Sequence, residues 1–392
     1  MAIASIAFPA AAAPASGTRA DWLPSAALVD ALPSLMQVAR VPGVGIAVAD
    51  RGKLAWSRSF GVKNVETGEP VTDTTLFEAA SMTKPAFAYI VMKLVDEGKL
   101  ELDRRLVDYR RPDYLGADPR LERITVRDVL RHSTGLPNWA DGPLTTIAAP
   151  GTAYTYSGEG MVWLQLIVET VTGEGAGAAM ERMLLRPAGM ARSKMGWDAR
   201  VARDAAYGHD ETDFGATKVA DQPTRRLGNA LLPIAERWGK PIFRWTYEDQ
   251  VRAMREAVPA TKPVPHELLV NVAGGLMTTA SDYVRFMLAM TERQARQPWQ
   301  ISERSRRAML SRQLDVGGRE FYRGLGWQRE DPPGMTVFEH SGSNYGIFHS
   351  LAVGDARSGN AIAIFTNGAN GSALAARIVR EATGLDLLKF LA

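Results

Sequence analysis

The chain is 392 residues long, 46% hydrophobic and 23% charged, with a formal net charge of +3 at pH 7. That length allows two or three domains, and the apolar content is enough to bury a core, which excludes a mainly disordered chain. No cysteine is present, so disulfide frameworks, thiolate metal sites, iron–sulfur clusters and cysteine nucleophiles are excluded together.

Charges are interspersed: Arg104-Arg105 and Arg110-Arg111 stand beside Asp103, Asp108 and Asp113. This reads as a solvated, ion-paired surface rather than a nucleic-acid footprint. No apolar run approaches the roughly 18 residues that a membrane-crossing helix needs. A soluble protein is expected, with neither nucleic acid nor membrane as partner.

Residues 1–22 are set apart from the fold. Ala2–Ala15 is small and apolar, and Ala13-Pro14-Ala15 resembles a signal-cleavage site, yet no basic residue precedes Arg19. The segment is either a signal remnant or a disordered tail, and localisation, cytoplasmic or exported, follows from which it is. Next, Leu28, Leu32, Leu35, Met36 and Val38 recur near helical spacing, predicting a helix over 25–40. Val44–Val48 and Leu54–Phe60, separated by Ala49-Asp50-Arg51-Gly52-Lys53, predict a hairpin. Leu76–Leu100 reads as a buried helix stopped by Gly98.

Helical patterns and Pro/Gly loops dominate from there to about residue 270, most clearly at Val162–Val171 and Ala176–Leu185. Residues 200–270 carry no strong period but hold Tyr207, Phe214, Trp238, Phe243, Trp245 and Tyr247, the lining of a pocket or of a helical core. A helix with a Ser/Asp cap is expected over Ser281–Thr291, then β-rich runs at Thr336–Glu339, Ile347–Val353 and Ala361–Phe365, and a last helix from Ala373 to about Ala382. Strands at both ends around a helical block predict an α+β architecture. Its antiparallel sheet, flanked by N- and C-terminal helices, would come from residues 23–76 and 271–392. Residues 77–270 would form a mainly helical domain, with a ligand cleft at the junction.

Several chemistries lack their motif. There is no G-x-S-x-G elbow, no phosphate-binding G-x-x-x-x-G-K-[ST], no H-E-x-x-H and no complete G-x-G-x-x-G. Gly43-Val44-Gly45 needs only backbone geometry to explain it. His132, His209, His266, His340 and His349 show no metal-ligand spacing. His209 near Asp210 and Asp213 is the one cluster, and it reads as a surface loop. Neither metal nor cofactor is expected.

The positive signal is Ser81-Met82-Thr83-Lys84, an S-x-x-K followed by Pro85. Proline lacks an amide N–H and is tolerated in a helix's first turn, where donors are unpaired anyway. That places Ser81 at a helix start, near the positive end of its dipole, with Lys84 one turn on along the same face. A capping serine beside a solvated lysine would read the same way.

Two later segments add to it. Pro150-Gly151-Thr152-Ala153-Tyr154-Thr155-Tyr156-Ser157-Gly158 presents a tyrosine in a Gly/Pro-rich loop, and Phe338-Glu339-His340-Ser341-Gly342-Ser343 ends a strand with a close-approach glycine. In the order S-x-x-K, Y-S-x, H-x-G, the chain resembles the class C β-lactamase and penicillin-binding-protein superfamily, and in particular the family VIII carboxylesterases. Leu130–Pro137 and Gly274–Asp282 also match the family, and the resemblance runs from about residue 25 to the C-terminus.

The resemblance implies a β-lactamase/transpeptidase-like fold and a serine hydrolase. Ser81 would be the nucleophile, Lys84 its partner and Tyr156 the general base, with the amides of Ser81 and Ser343 as oxyanion hole. His340 and Ser341 would orient Tyr156 or the substrate, and Gly158, Ser341 and Gly342 would border the substrate. His132 and Gly274–Asp282 are expected to be structural.

Two departures bear on the substrate. His340 stands where β-lactamases usually carry lysine, which weakens a fixed cation for a substrate carboxylate. Gly158 stands where asparagine is usual, which removes an amide that would grip an acyl-amide group. Short- to medium-chain esters are therefore the expected substrates. The alternatives are a β-lactamase or D-amino-acid amidase or peptidase of the same fold, or a penicillin-binding sensor that acylates once and stops. Oligomeric state stays open.

Overall fold

A computed structural model describes residues 21–212, 215–258, 267–293, 296–316 and 321–387. Residues 1–20, Asp213, Phe214 and His266 lie outside them. Ser25 opens the first helix by accepting the Leu28 amide at 3.2 Å. α1 (Ala26–Ala39) then turns Leu28, Leu32 and Met36 onto one buried face. The chain folds back as β1 (Gly43–Asp50) and β2 (Lys53–Asn64) around Arg51 and Gly52. Both turn residues have positive φ, the geometry whose twist matches that of the strands.

β3 (Glu69–Pro70) and β4 (Phe77–Glu78) lead into α2 (Thr83–Asp96). The helix expected over 76–100 is thus a short strand, a 3₁₀ turn at Ala80–Met82 and a shorter helix. Pro85 sits in the first turn of α2, where it costs no intrahelical bond. Gly98, at φ +70°, follows the helix as its stop.

The helical part holds α3 (Val126–Leu130), α4 (Gly158–Thr172) and α5 (Ala176–Met180), the last continuing as a π-helical turn to Leu185. β5 (Lys194–Met195), α6 (Ala199–Asp204), β6 (His209–Glu211), β7 (Thr217–Val219), α7 (Pro223–Trp238) and α8 (Tyr247–Ala257) follow. The stretch that shows no strong period is therefore largely helical: α7 and α8 bury only a few residues each, Leu231 and Ile234 among them. His209 is a buried residue rather than a surface one. Its Nε2 accepts the Val65 amide at 3.2 Å and its Nδ1 faces the Asn367 carbonyl at 2.9 Å.

β8 (Leu276–Thr278) precedes α9 (Ala280–Leu288). The cap of α9 is Thr279, whose hydroxyl accepts the Asp282 amide at 3.2 Å, and Ser281 lies inside the helix. Then come α10 (Glu303–Leu310), β9 (Leu314–Asp315), β10 (Phe321–Arg323), β11 (Gln328–Glu330), β12 (Val337–Asn344), β13 (Phe348–Asp355), β14 (Asn360–Thr366) and α11 (Gly371–Thr383).

Nine strands form one antiparallel sheet in the order β3-β2-β1-β14-β13-β12-β11-β10-β9. α1 and α11 cover one face, packing Leu28, Leu32, Ile378 and Val379 against Ile46, Ile362 and Ile364. The other face shares one continuous core with the helical part, through Phe77, Phe87, Tyr283, Phe286, Trp327, Phe338 and Phe365. Each such large apolar side chain removed from water contributes about 1.5–3 kcal/mol before entropy is counted. Among the described residues, no helix is long and apolar enough to cross a membrane. The start of α2, the loop before α4 and the end of β12 meet where this core reaches the surface.

Candidate active site

Ser81 sits in a tightly held turn. Ala80, just before it, adopts φ +49°, a left-handed conformation that costs a non-glycine residue about 1 kcal/mol or more. Surrounding bonds fix that conformation. The Thr83 hydroxyl donates to the Ala80 carbonyl at 2.7 Å and accepts the Leu276 amide at 3.1 Å. Ser350 Oγ donates to the Ala79 carbonyl at 2.8 Å, and the Tyr283 hydroxyl donates to the Met82 carbonyl at 2.8 Å.

Lys84, 1% exposed, donates from Nζ to Ser81 Oγ at 3.0 Å and to the Ala273 carbonyl at 2.6 Å. The S-x-x-K spacing thus delivers an ammonium group to the serine oxygen within a single turn.

Tyr156 comes from the loop leading into α4, whose first turn is capped by Ser157 accepting the Gly160 amide at 3.0 Å. Lys84 Nζ lies 4.8 Å from the centre of the Tyr156 ring. Burial would push this phenol up. The charge of Lys84, hydrogen bonds with Lys84 and Ser81, and the charge of Arg323 outweigh burial and hold it below the ordinary tyrosine value.

The Tyr156 ring is also stacked on by His132, at 4.5 Å between centroids. His132 has φ +58° and accepts the Ser157 amide on Nδ1 at 3.3 Å. Burial first, then the charges of Arg323 and Lys84, hold His132 well below the usual imidazole range, so the ring is neutral. It is a rigid plate behind the tyrosine.

β12 closes the opposite wall. A Cβ built on Gly342 would lie 2.6 Å from the Ala79 carbonyl oxygen, 2.6 Å from Ser350 Oγ and 2.8 Å from the Ser81 amide. Only glycine lets the strand run this close to the serine turn. Ser343 follows it, paired with His349 of β13, and Asn344 donates to Glu78 Oε2 at 2.6 Å and to the Gly274 carbonyl at 3.2 Å. His340, two residues before Gly342 and so on the same strand face, is buried, with Nδ1 2.7 Å from the Ser341 carbonyl. The imidazole stacked on Tyr156 belongs to His132, not to His340. Ser341 is partly exposed.

Gly158 is accounted for by Trp139, which the sequence reading does not single out. A Cβ on Gly158 would fall 2.3 Å from Trp139 Cη2, so the indole lies directly on the glycine. The 138–140 loop is fastened there. The Gly158 amide donates to Asn138 O and Oδ1 at 3.0 Å each, the Glu159 amide to Asn138 O at 3.1 Å, and the Ala140 amide to Glu159 Oε1 at 3.0 Å. Arg323 is the other addition. It reaches the Tyr154 hydroxyl from β10, and no motif marks it. Among the described residues, no cluster of three or more His, Asp or Glu could hold a metal ion.

Comparison with known proteins gives the family. The Beta-lactamase family model matches residues 28–384. Esterase EstB of Burkholderia gladioli is 25% identical over 350 residues, 78% of this chain and 80% of its own length. Penicillin-binding protein 4 of Amycolatopsis lactamdurans is 25% identical over 371 residues, 88% of this chain and 85% of its own length. A class C beta-lactamase structure superposes with a TM-score of 0.67 at 18% identity, covering 90% of this chain and 93% of that one. The chain belongs to the beta-lactamase family and is a serine hydrolase of the β-lactamase/transpeptidase fold.

Proposed function

We propose that the protein hydrolyses short- to medium-chain carboxylic esters through an acyl-enzyme on Ser81. The observation that carries this reading is one Lys84 ammonium bonded to Ser81 Oγ at 3.0 Å and lying 4.8 Å from the Tyr156 ring centre. A serine hydroxyl is inert at neutral pH unless a base takes its proton, and a tyrosine held below its usual pKa beside a cation is such a base.

In the acylation step, Tyr156 phenolate accepts the Ser81 proton while Oγ bonds to the ester carbonyl carbon. The amides of Ser81 and Ser343 stabilise the oxyanion. Collapse breaks the bond to the alcohol, which leaves with the proton from Tyr156. Water then adds to the acyl-enzyme, again giving a proton to Tyr156; collapse breaks the bond to Ser81 Oγ, which takes that proton back from Tyr156, and the carboxylic acid leaves. Lys84 moves no proton in this scheme; its charge favours the phenolate. Gly342 and Ser341 border the substrate, with His340 behind them.

The ester preference is supported by what flanks the tyrosine. Trp139 presses an apolar surface onto Gly158, where a side-chain amide would be needed to hold an acyl-amide substrate. The likeness to Esterase EstB points the same way. Steady-state hydrolysis of p-nitrophenyl butyrate and of nitrocefin, with wild type and Ser81→Ala, tests the reading. Ester turnover that vanishes in Ser81→Ala, with slow or no nitrocefin cleavage, is expected. Nitrocefin turnover matching the ester would overturn the substrate class, and activity surviving in Ser81→Ala would overturn the mechanism.

A further inference from the structure

Arg323, the last residue of β10, is 7% exposed and among the described residues forms no ion pair. Its Nη2 donates to the Tyr154 hydroxyl at 2.6 Å, its guanidinium carbon stands 4.8 Å from the Tyr154 ring centre, and its buried Nε has no hydrogen-bond partner among the described residues. A buried guanidinium without a carboxylate is expensive and is retained where its charge acts on something. Tyr154 packs edge-on against His132 at 6.3 Å, and His132 stacks on Tyr156 at 4.5 Å. Arg323, Tyr154, His132 and Tyr156 therefore form one contiguous chain of contacts, and Lys84 lies over the Tyr156 ring.

Resting on the esterase reading above, we propose that Arg323 is a positioning residue of the catalytic centre: a second buried cation that, through Tyr154 and His132, seats Tyr156 and favours negative charge on it. The groups facing Tyr156 are Ser81 and Lys84 from the start of α2, His132 from the turn after α3, Tyr154 from its own loop and Arg323 from β10; Glu339 of β12 acts on Tyr154. Lys84 and Arg323 are the cations among them. His132 is neutral, so it transmits position rather than charge. Arg323 touches Tyr154, whereas Lys84 touches Ser81 and lies over the Tyr156 ring. Loss of Arg323 therefore weakens the base without touching the contact between Lys84 and Ser81.

The test is the pH profile of kcat/KM for p-nitrophenyl butyrate in Arg323→Met, Arg323→Gln and Arg323→Lys, with Tyr156→Phe alongside. Two unit charges about 12 Å apart, the scale of this chain of ring contacts, interact by about one pH unit at an effective dielectric near 20. Removing the cation raises the pKa of the base, so the acidic limb should move up by about one unit in the Met and Gln variants. The resulting loss is about tenfold below the limb and much smaller above it, and Arg323→Lys should restore most of the shift.

Activity lowered evenly at every pH, with the limb unmoved, would mean a merely structural role and overturn the proposal. If both neutral variants fail to fold, the lysine variant decides: a limb at the wild-type position supports the charge, and a limb displaced upward despite the retained charge overturns it. Wild-type turnover in Tyr156→Phe would instead bring down the esterase reading itself. Loss there together with an unmoved limb in Arg323→Met would bring down only this inference.

Discussion

Gly158→Ala puts a single methyl group where the Trp139 indole lies. The new carbon would be 2.3 Å from Cη2, 2.5 Å from Cζ2 and 2.6 Å from Cζ3, against an ordinary contact of 3.4–4 Å. The ring must therefore retreat by about 1 Å, and the hydrogen bonds that pin Asn138 and Ala140 to the start of α4 resist that movement. Overpacking of this kind costs about 1–3 kcal/mol. In a Trp139→Ala background the conflict is gone, and the same substitution should be close to neutral, helped by up to about 1 kcal/mol of helix propensity.

The coupling energy between the two positions is thus expected at about 1–3 kcal/mol. Urea denaturation followed by far-UV circular dichroism on the four proteins of this double-mutant cycle measures it. Equal costs for Gly158→Ala in both backgrounds would refute the contact and, with it, the account of why glycine stands here.

Further outcomes follow from the same geometry. Gly342→Ala should push β12 away from the Ser81 amide and lower kcat roughly 10²- to 10³-fold with little change in KM, as steady-state kinetics would record. Tyr156→Phe should keep the His132 stack and the near-UV circular dichroism of the wild type while kcat/KM falls by about 10²–10⁴. Glu159, buried with one carboxylate oxygen bonded to the Ala140 amide, is pushed up from 4.5 to about 7 by burial. A raised folded pKa means its contribution to stability is fully present below about pH 4.5 and lost as pH rises through about 7. Glu159→Gln should therefore flatten stability against pH and gain on the order of 1–3 kcal/mol on the wild type at pH 8 relative to pH 5, measured by urea unfolding at both values.

Strands that carry large apolar faces are legible in the sequence, and those that do not are not. β1, β2, β12, β13 and β14 are long, and four of the five are mostly buried, so their apolar runs announce them. β9, β10 and β11 are two or three residues each, with Arg323, Gln328 and Arg329 in them, and they are strands because β12 offers an edge to pair with. α7 escaped notice because it buries little beyond Gly228, Leu231 and Ile234.

At the site, Ser81 and Lys84 were legible because one helical turn joins them. The strained φ of Ala80, the stack of His132 on Tyr156 and the weight of Trp139 on Gly158 join residues that are distant in sequence, or depend on backbone angles, and no spacing rule reports them. His132 illustrates the difference: expected only to be structural, it packs against the ring of Tyr156, a residue distant in the sequence.

The most direct measurement is the covalent state of Ser81 during turnover. Wild-type protein quenched with acid while hydrolysing p-nitrophenyl butyrate should show, by intact mass, a fraction carrying one butyryl group, and digestion should place it on the peptide that holds Ser81. Ser81→Ala should carry none. A wild type that never carries the acyl group while turning the ester over, or a label found on another residue, would contradict the account.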